Sequence, residues 1–131
     1  MATAKDMLQS ADWKLEKHMP VIEAQDLARK AEAINISVSV GKEIPHPNTT
    51  EHHIAWIAAY FLPKGEKFTY LLARSELSCH GASTLGPNTS TIYTQPSVTL
   101  NFKSEKSGTI IAISQCNIHG LWEASREITV E

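Results

Sequence analysis

The chain has 131 residues, 42% of them hydrophobic and 20% charged, a composition that excludes intrinsic disorder and leaves enough chain to bury a core without staples. Its formal net charge of −2 gives no global basic field for nucleic acid or an anionic membrane surface. Two cysteines, Cys79 and Cys116, exclude a disulfide-dense secreted scaffold and any four-cysteine metal site, which leaves six histidines as the unusual feature.

One domain spanning residues 1–131 is expected from the length and from the absence of linkers, repeats or low-complexity tracts. The opening MATAKDMLQSADW holds no apolar run of signal-peptide or membrane-span length, so a cytoplasmic protein with reduced thiols is expected. Ala4, Met7, Leu8 and Ala11 fall at helical spacing and predict a short leading helix. Ala24, Leu27, Ala28 and Ala31 repeat that spacing, so residues 24–33 are expected to form a helical turn or short helix. Ile34, Ile36, Val38 and Val40 alternate with Asn35, Ser37 and Ser39, the period of a strand with one buried face. Ile54–Leu62 is apolar on both parities; that suits a central strand covered on both sides, although periodicity alone does not exclude a buried helix. Pro63-Lys64-Gly65 makes a turn, and Phe68, Tyr70 and Leu72 resume the alternation. Val98, Leu100 and Phe102 mark a further strand, then Ile111 and Ile113, then Trp122, Ala124, Ile128 and Val130. The fold expected is all-β: an antiparallel β-sandwich of about seven strands with a short N-terminal helix.

Four clusters carry candidate ligands: Glu16-Lys17-His18-Met19-Pro20, Pro45-His46-Pro47-Asn48, Glu51-His52-His53 and Cys116-Asn117-Ile118-His119-Gly120. Each falls at a strand end or in a loop, where sites are usually mounted. Cys116 and His119, three residues apart in a segment loosened by Asn117 and Gly120, can present thiolate and imidazole from one turn; a buried free thiol beside a surface histidine fits the same letters. His46 sits between two prolines on a stiff loop. His52 and His53 are adjacent, so in a strand their rings would point to opposite faces and at most one would join a given site; parity does not say which. His18 lies in an extended segment that also reads as an ordinary solvated loop. His80 reads as a surface residue and Cys79 as a buried small hydrophobe. Several imidazoles and a single thiolate suit iron, copper or zinc rather than calcium or magnesium. Structural zinc prefers four ligands with more sulfur, so five N/S donors favour a redox metal with one open position. A blue-copper site would want a weak methionine, and Met19 has no loop of its own, which ranks copper second.

EKHMPVIE, GKEIPHPNTTEHHI and CNIHGLW, in that order, resemble the one-iron superoxide reductases, or neelaredoxins, of the desulfoferrodoxin iron-binding family. The resemblance runs from about Asp12 to the C-terminus, leaving the first dozen residues and the helix-like 24–33 stretch outside it. It lacks the four-cysteine module of the two-centre class. It implies an immunoglobulin-like sandwich and one mononuclear iron per chain, with His18, His46, His52 and His119 in the plane and Cys116 axial. It also implies Glu16 as sixth ligand of the ferric state, Lys17 facing the open position, and His53 as structural. The implied activity is one-electron reduction of superoxide to hydrogen peroxide, with rubredoxin or a similar donor restoring Fe(II), in a homotetramer with no nucleic-acid or membrane partner.

The charges fit that expectation. Four neutral imidazoles and one thiolate leave Fe(II) with a local charge of about +1, and Lys17 and Lys42 add to it, so an anion is attracted despite the acidic whole. Three competing classes are a superoxide dismutase, a cupredoxin-like electron-transfer protein and a non-enzymatic sandwich with incidental histidines.

Overall fold

Eight strands and one helical turn make up the structure, a computed structural model that describes residues 1–131. In chain order they are α1 (Ala4–Met7), β1 (Pro20–Ala24), β2 (Leu27–Ala28), β3 (Ile34–Val40), β4 (Ile54–Pro63), β5 (Tyr70–Glu76), β6 (Ser97–Phe102), β7 (Gly108–Cys116) and β8 (Gly120–Val130). They form two sheets, β1-β3-β6 and β2-β8-β7-β4-β5. Every pairing is antiparallel except the two-residue β2–β8 contact. One buried cluster draws Ile34, Ile36, Val38 and Val40 from the first sheet and Ile57, Phe61, Ile110 and Ile128 from the second, so the sheets share a single core. This is the expected sandwich with one strand more.

The alternation in β3 sets the inner face. Its four aliphatic residues are buried while Asn35 is exposed and Ser37 and Ser39 are half-buried, and each buried Ile or Val contributes roughly 1.5–3 kcal/mol. The two-parity apolarity of β4 has a geometric cause. The register of β4 slips against β7 between Ile54 and Trp56, and against β5 between Ala59 and Tyr60. The first, an extra residue on β4, switches the inward parity, so Ile54 and Ile57 both face the core, whereas the second places its extra residue on β5. In β7 the inward residues are Ile110, Ala112, Ser114 and Cys116, the parity opposite to Ile111 and Ile113. Pairing with β4, not local pattern, chooses between two apolar parities there.

One helical expectation, residues 24–33, is corrected, and the other, the short leading helix, is met over Ala4–Met7. Residues 24–33 form no helix: Leu27 and Ala28 pair with Thr129 and Val130 of β8, and Ala31 takes a φ of 67° that no right-handed helix accepts. Pairing and burial of Ala28 override propensity at this point. The leading helix stops at Met7, because Gln9 turns to bridge Trp122, its N–H reaching the Leu121 carbonyl at 2.9 Å.

Candidate metal centre

Strand pairing brings the candidate segments to one end of the sandwich. The start of β1 lies beside the end of β3 (Pro20↔Val40), the start of β4 beside the end of β7 (Ile54↔Cys116), and the end of β7 beside the start of β8 (Cys116↔Gly120). His18 precedes β1, His46 and His52 lie between β3 and β4, Cys116 ends β7, and His119 precedes β8. Gly120, at φ +83°, closes the tight turn that places His119 over Cys116.

Ligand-capable atoms of His18, His52, Cys116 and His119 all lie within 4.8 Å of one another. His46 stands outside that tightest group yet completes a ring of four imidazoles. Centroids are 4.9 Å apart for His46–His18, 4.7 Å for His18–His119, 4.9 Å for His119–His52 and 4.6 Å for His52–His46. The His18–His52 diagonal is 6.1 Å, and neighbouring rings meet edge to face. Cys116 is fully buried, its Sγ 3.7 Å from His119 Nδ1, whereas His119 is exposed. The thiol therefore approaches the ring of imidazoles from the interior.

The outward hydrogen bonds determine which nitrogens face inward. His46 Nδ1 donates to the Pro47 carbonyl at 2.7 Å, and His18 Nδ1 lies 2.5 Å from Glu16 Oε1. His46 Nε2 and His52 Nε2 are buried with no partner, and His18 Nε2 meets His119 Nδ1 at 3.0 Å. An unpartnered buried nitrogen is costly, about 1–3 kcal/mol each. One cation with affinity for nitrogen and sulfur would satisfy these atoms together, and this donor set suits iron, copper or zinc. Protonation favours the same state. Burial foremost, opposed by the Pro47 carbonyl and reinforced by positive charge at His18, His52 and Lys17, pushes His46 down to about 4. Burial also lowers His52, helped by His119, His18, Lys17 and His53. At neutral pH both imidazoles are therefore uncharged, as metal binding requires.

Glu16 is turned toward His18. Its Oε1 accepts the His18 backbone N–H at 2.8 Å as well as facing the ring. Partial burial acts to raise its carboxyl, but these contacts with His18 outweigh it and hold the group below the ordinary value. Lys17 is half-buried, and its charge reaches both His46 and His52. Lys42 does not add free charge as expected, because its ammonium pairs with Glu23 and lies 5.6 Å over the Trp13 ring.

Three supporting residues escaped sequence reasoning. Ser114 Oγ, fully buried, donates to the His18 carbonyl at 3.1 Å. Trp122 stacks on His18 at 5.0 Å and donates its indole N–H to the His119 carbonyl at 3.2 Å. Asn117 accepts the His53 N–H at 2.8 Å and donates to the Glu51 carbonyl at 2.9 Å, so it holds both neighbours of His52. Their signal was position within or beside the Cys116–Trp122 segment; apart from the Trp122 bond to His119, their partners are remote in sequence. Two other expectations are corrected. His80 is buried, not on the surface, and its ring stacks on His53 at 3.6 Å. Cys79 is exposed, because β5 ends at Glu76 and Leu77 fills the core position instead. His53 stays outside the cluster, its Nδ1 2.9 Å from the Thr49 carbonyl.

Comparison with known proteins agrees with this geometry. The desulfoferrodoxin family matches residues 10–125. The superoxide reductase of Pyrococcus furiosus is 53% identical over 126 residues, covering 96% of this chain and 98% of the relative. The neelaredoxin of Megalodesulfovibrio gigas is 48% identical, covering 96% and 97%. Among solved structures, reduced superoxide reductase (neelaredoxin) from Archaeoglobus fulgidus superimposes with a TM-score of 0.88 at 54% identity, covering 94% of this chain and 98% of that one. A crystal structure from Thermotoga maritima reaches a TM-score of 0.98 at 53% identity and covers 100% of this chain, so the N-terminal dozen residues belong to the shared frame after all. The chain belongs to the desulfoferrodoxin family, among the one-iron superoxide reductases.

Proposed function

We propose that the chain reduces superoxide to hydrogen peroxide at a mononuclear iron held by His18, His46, His52, His119 and Cys116, with Glu16 and Lys17 beside it. Each turnover consumes one superoxide, one electron and two protons and leaves the O–O bond intact. The observation that carries the reading is the ring of four imidazoles over one buried thiol, with two ring nitrogens buried and unpartnered. Bound iron would supply the one-electron couple. The chain's own residues do the rest. Lys17 places positive charge beside His46 and His52 and draws in the anion. Glu16 fixes the His18 ring through its contact with Nδ1 and would be the carboxylate available to a bound iron in its oxidised state. The His119 backbone N–H, 3.4 Å from Cys116 Sγ, tempers the thiolate.

A rubredoxin-like one-electron donor restores the reduced state, and exposed Leu15, Ile44 and Ile118, each within two residues of a site residue, support its docking there. Exposed Phe68, Tyr70, Leu71, Leu85 and Ile92 support a homotetramer. We read residues 1–131 as one domain working in the cytoplasm, which agrees with an exposed free thiol at Cys79. No helix is long and apolar enough to cross a membrane.

The test is stoichiometry with a reductant present. One hydrogen peroxide per superoxide supports reduction; half as much, with dioxygen released and no reductant consumed, overturns it in favour of dismutation. Cys116→Ser should abolish the thiolate-to-metal absorption and the activity, and a retained band would remove Cys116 from the site.

A further inference from the structure

The 41–53 connection carries two of the five proposed ligands, His46 and His52, yet it has no regular secondary structure of its own. Thr49 bonds His52 and His53 within the loop, and further contacts come from outside it. His80, in the β5–β6 connection, touches it in three ways. The His80 ring stacks on His53 at 3.6 Å with the planes 3° apart. Its Nδ1 meets Asn48 Oδ1 at 2.8 Å, and its backbone carbonyl accepts the Thr50 hydroxyl at 2.9 Å. The Asn48 amide is oriented by its own donation to the Thr94 carbonyl at 2.9 Å. The other ring nitrogen, Nε2, faces the Leu77 carbonyl, and the Leu77 N–H donates to Ala55 in β4 at 2.9 Å. Both ring nitrogens thus face acceptor oxygens, of which a neutral ring donates to one, so the ring points away from ligation and links the sheet to the loop. At 9% exposure it is shielded from competing water.

We propose that His80 is a positioning residue for the His46–His52 half of the metal centre, an inference that rests on reading those two histidines as ligands. Asn48 lies two residues after His46, and His53 one residue after His52. A ring that holds Asn48 and His53 therefore sets the spacing between the two inward nitrogens before any metal arrives. Partners one step removed from the ligands commonly change metal affinity by about 10–100-fold when removed.

The experiment is a Co(II) titration of the metal-free full-length chain, followed by the thiolate-to-Co(II) absorption and the ligand-field bands. His80→Ala and the milder His80→Gln should each weaken Co(II) binding by about tenfold or more and shift the ligand-field bands. Val98→Ala, in β6 and away from the loop, serves as a control that lowers stability without touching any partner of His80. Its affinity and spectrum should match the parent chain even where its melting temperature falls as far as that of the His80 variants. Affinity within twofold of the parent in both His80 variants, with unchanged bands, would overturn the positioning role alone. A parent chain that binds Co(II) without a thiolate band would instead overturn the reading of the centre, and the positioning role with it.

Discussion

Ser114→Ala is the sharpest test of how the sandwich holds its centre. The hydroxyl is fully buried at the inward parity of β7 and donates to the backbone carbonyl of His18 at 3.1 Å. Removing it leaves that carbonyl without this donor, at a cost of about 1–3 kcal/mol. Taking about 2 kcal/mol, and about 4 °C per kcal/mol for a chain of this size, the metal-free variant should melt roughly 8 °C lower. A second loss should appear only with metal. Co(II) at 100 times its dissociation constant stabilises the parent chain by about 2.7 kcal/mol. If freeing the His18 backbone weakens binding tenfold, as outer partners do, the same Co(II) concentration stabilises the variant by only about 1.4 kcal/mol. Thermal melts of both proteins, with and without Co(II), separate the two losses. Equal stabilisation by metal in parent and variant would show that Ser114 supports the sheet and not the ligand. An unchanged metal-free melting temperature would refute the energetic argument itself.

Other consequences follow from the same geometry. Asn117→Ala removes two hydrogen bonds that flank His52, and should cost about 1–2 kcal/mol in urea unfolding of the metal-free chain; Co(II) affinity should fall about tenfold, and an unaltered affinity would assign Asn117 to the turn alone. Lys17→Ala should slow the reaction with superoxide several-fold at low salt and flatten its dependence on ionic strength in pulse radiolysis; an unchanged rate would end the steering role. Metal-free stability should also depend on pH. His46 sits at about 4 in the folded chain against an ordinary 6.5, chiefly through burial. Between those values the unfolded chain binds more protons, so stability is full above about 6.5 and is lost as pH falls toward 4. His46→Gln should flatten the melting-temperature profile over that window, and a parent profile flat between about pH 5 and 6.5 would contradict the assignment.

The letters of the chain carry a good deal of this. Ile34 to Val40 alternate because one face of β3 meets the core, and the structure buries the residues that the alternation names. The proposed ligand set, His18, His46, His52, His119 and Cys116, came from the family resemblance that the three long motifs carry; parity by itself left His52 and His53 undecided. Where reading by period fails, a partner distant in sequence is responsible. Residues 24–33 have helical spacing, but Leu27 and Ala28 find β8. Cys79 and His80 exchange their expected environments because β5 stops three residues before Cys79 and the connection folds His80 back onto His53.

Local pattern and motif therefore determined the class of fold, the donor types and the family. Tertiary structure alone decided how the donors are aimed. Ring orientation depends on outward hydrogen bonds, His46 to Pro47 and His18 to Glu16, and on the strand register that sets Cys116 opposite Ile54. It also decided the second ring of support, Ser114, Asn117, Trp122 and His80, whose contacts include Ser114 to His18, 96 residues apart, and Trp122 to His18, farther still. Spacing along a chain reports which groups are available, whereas the direction of a lone pair is a property of the packed molecule.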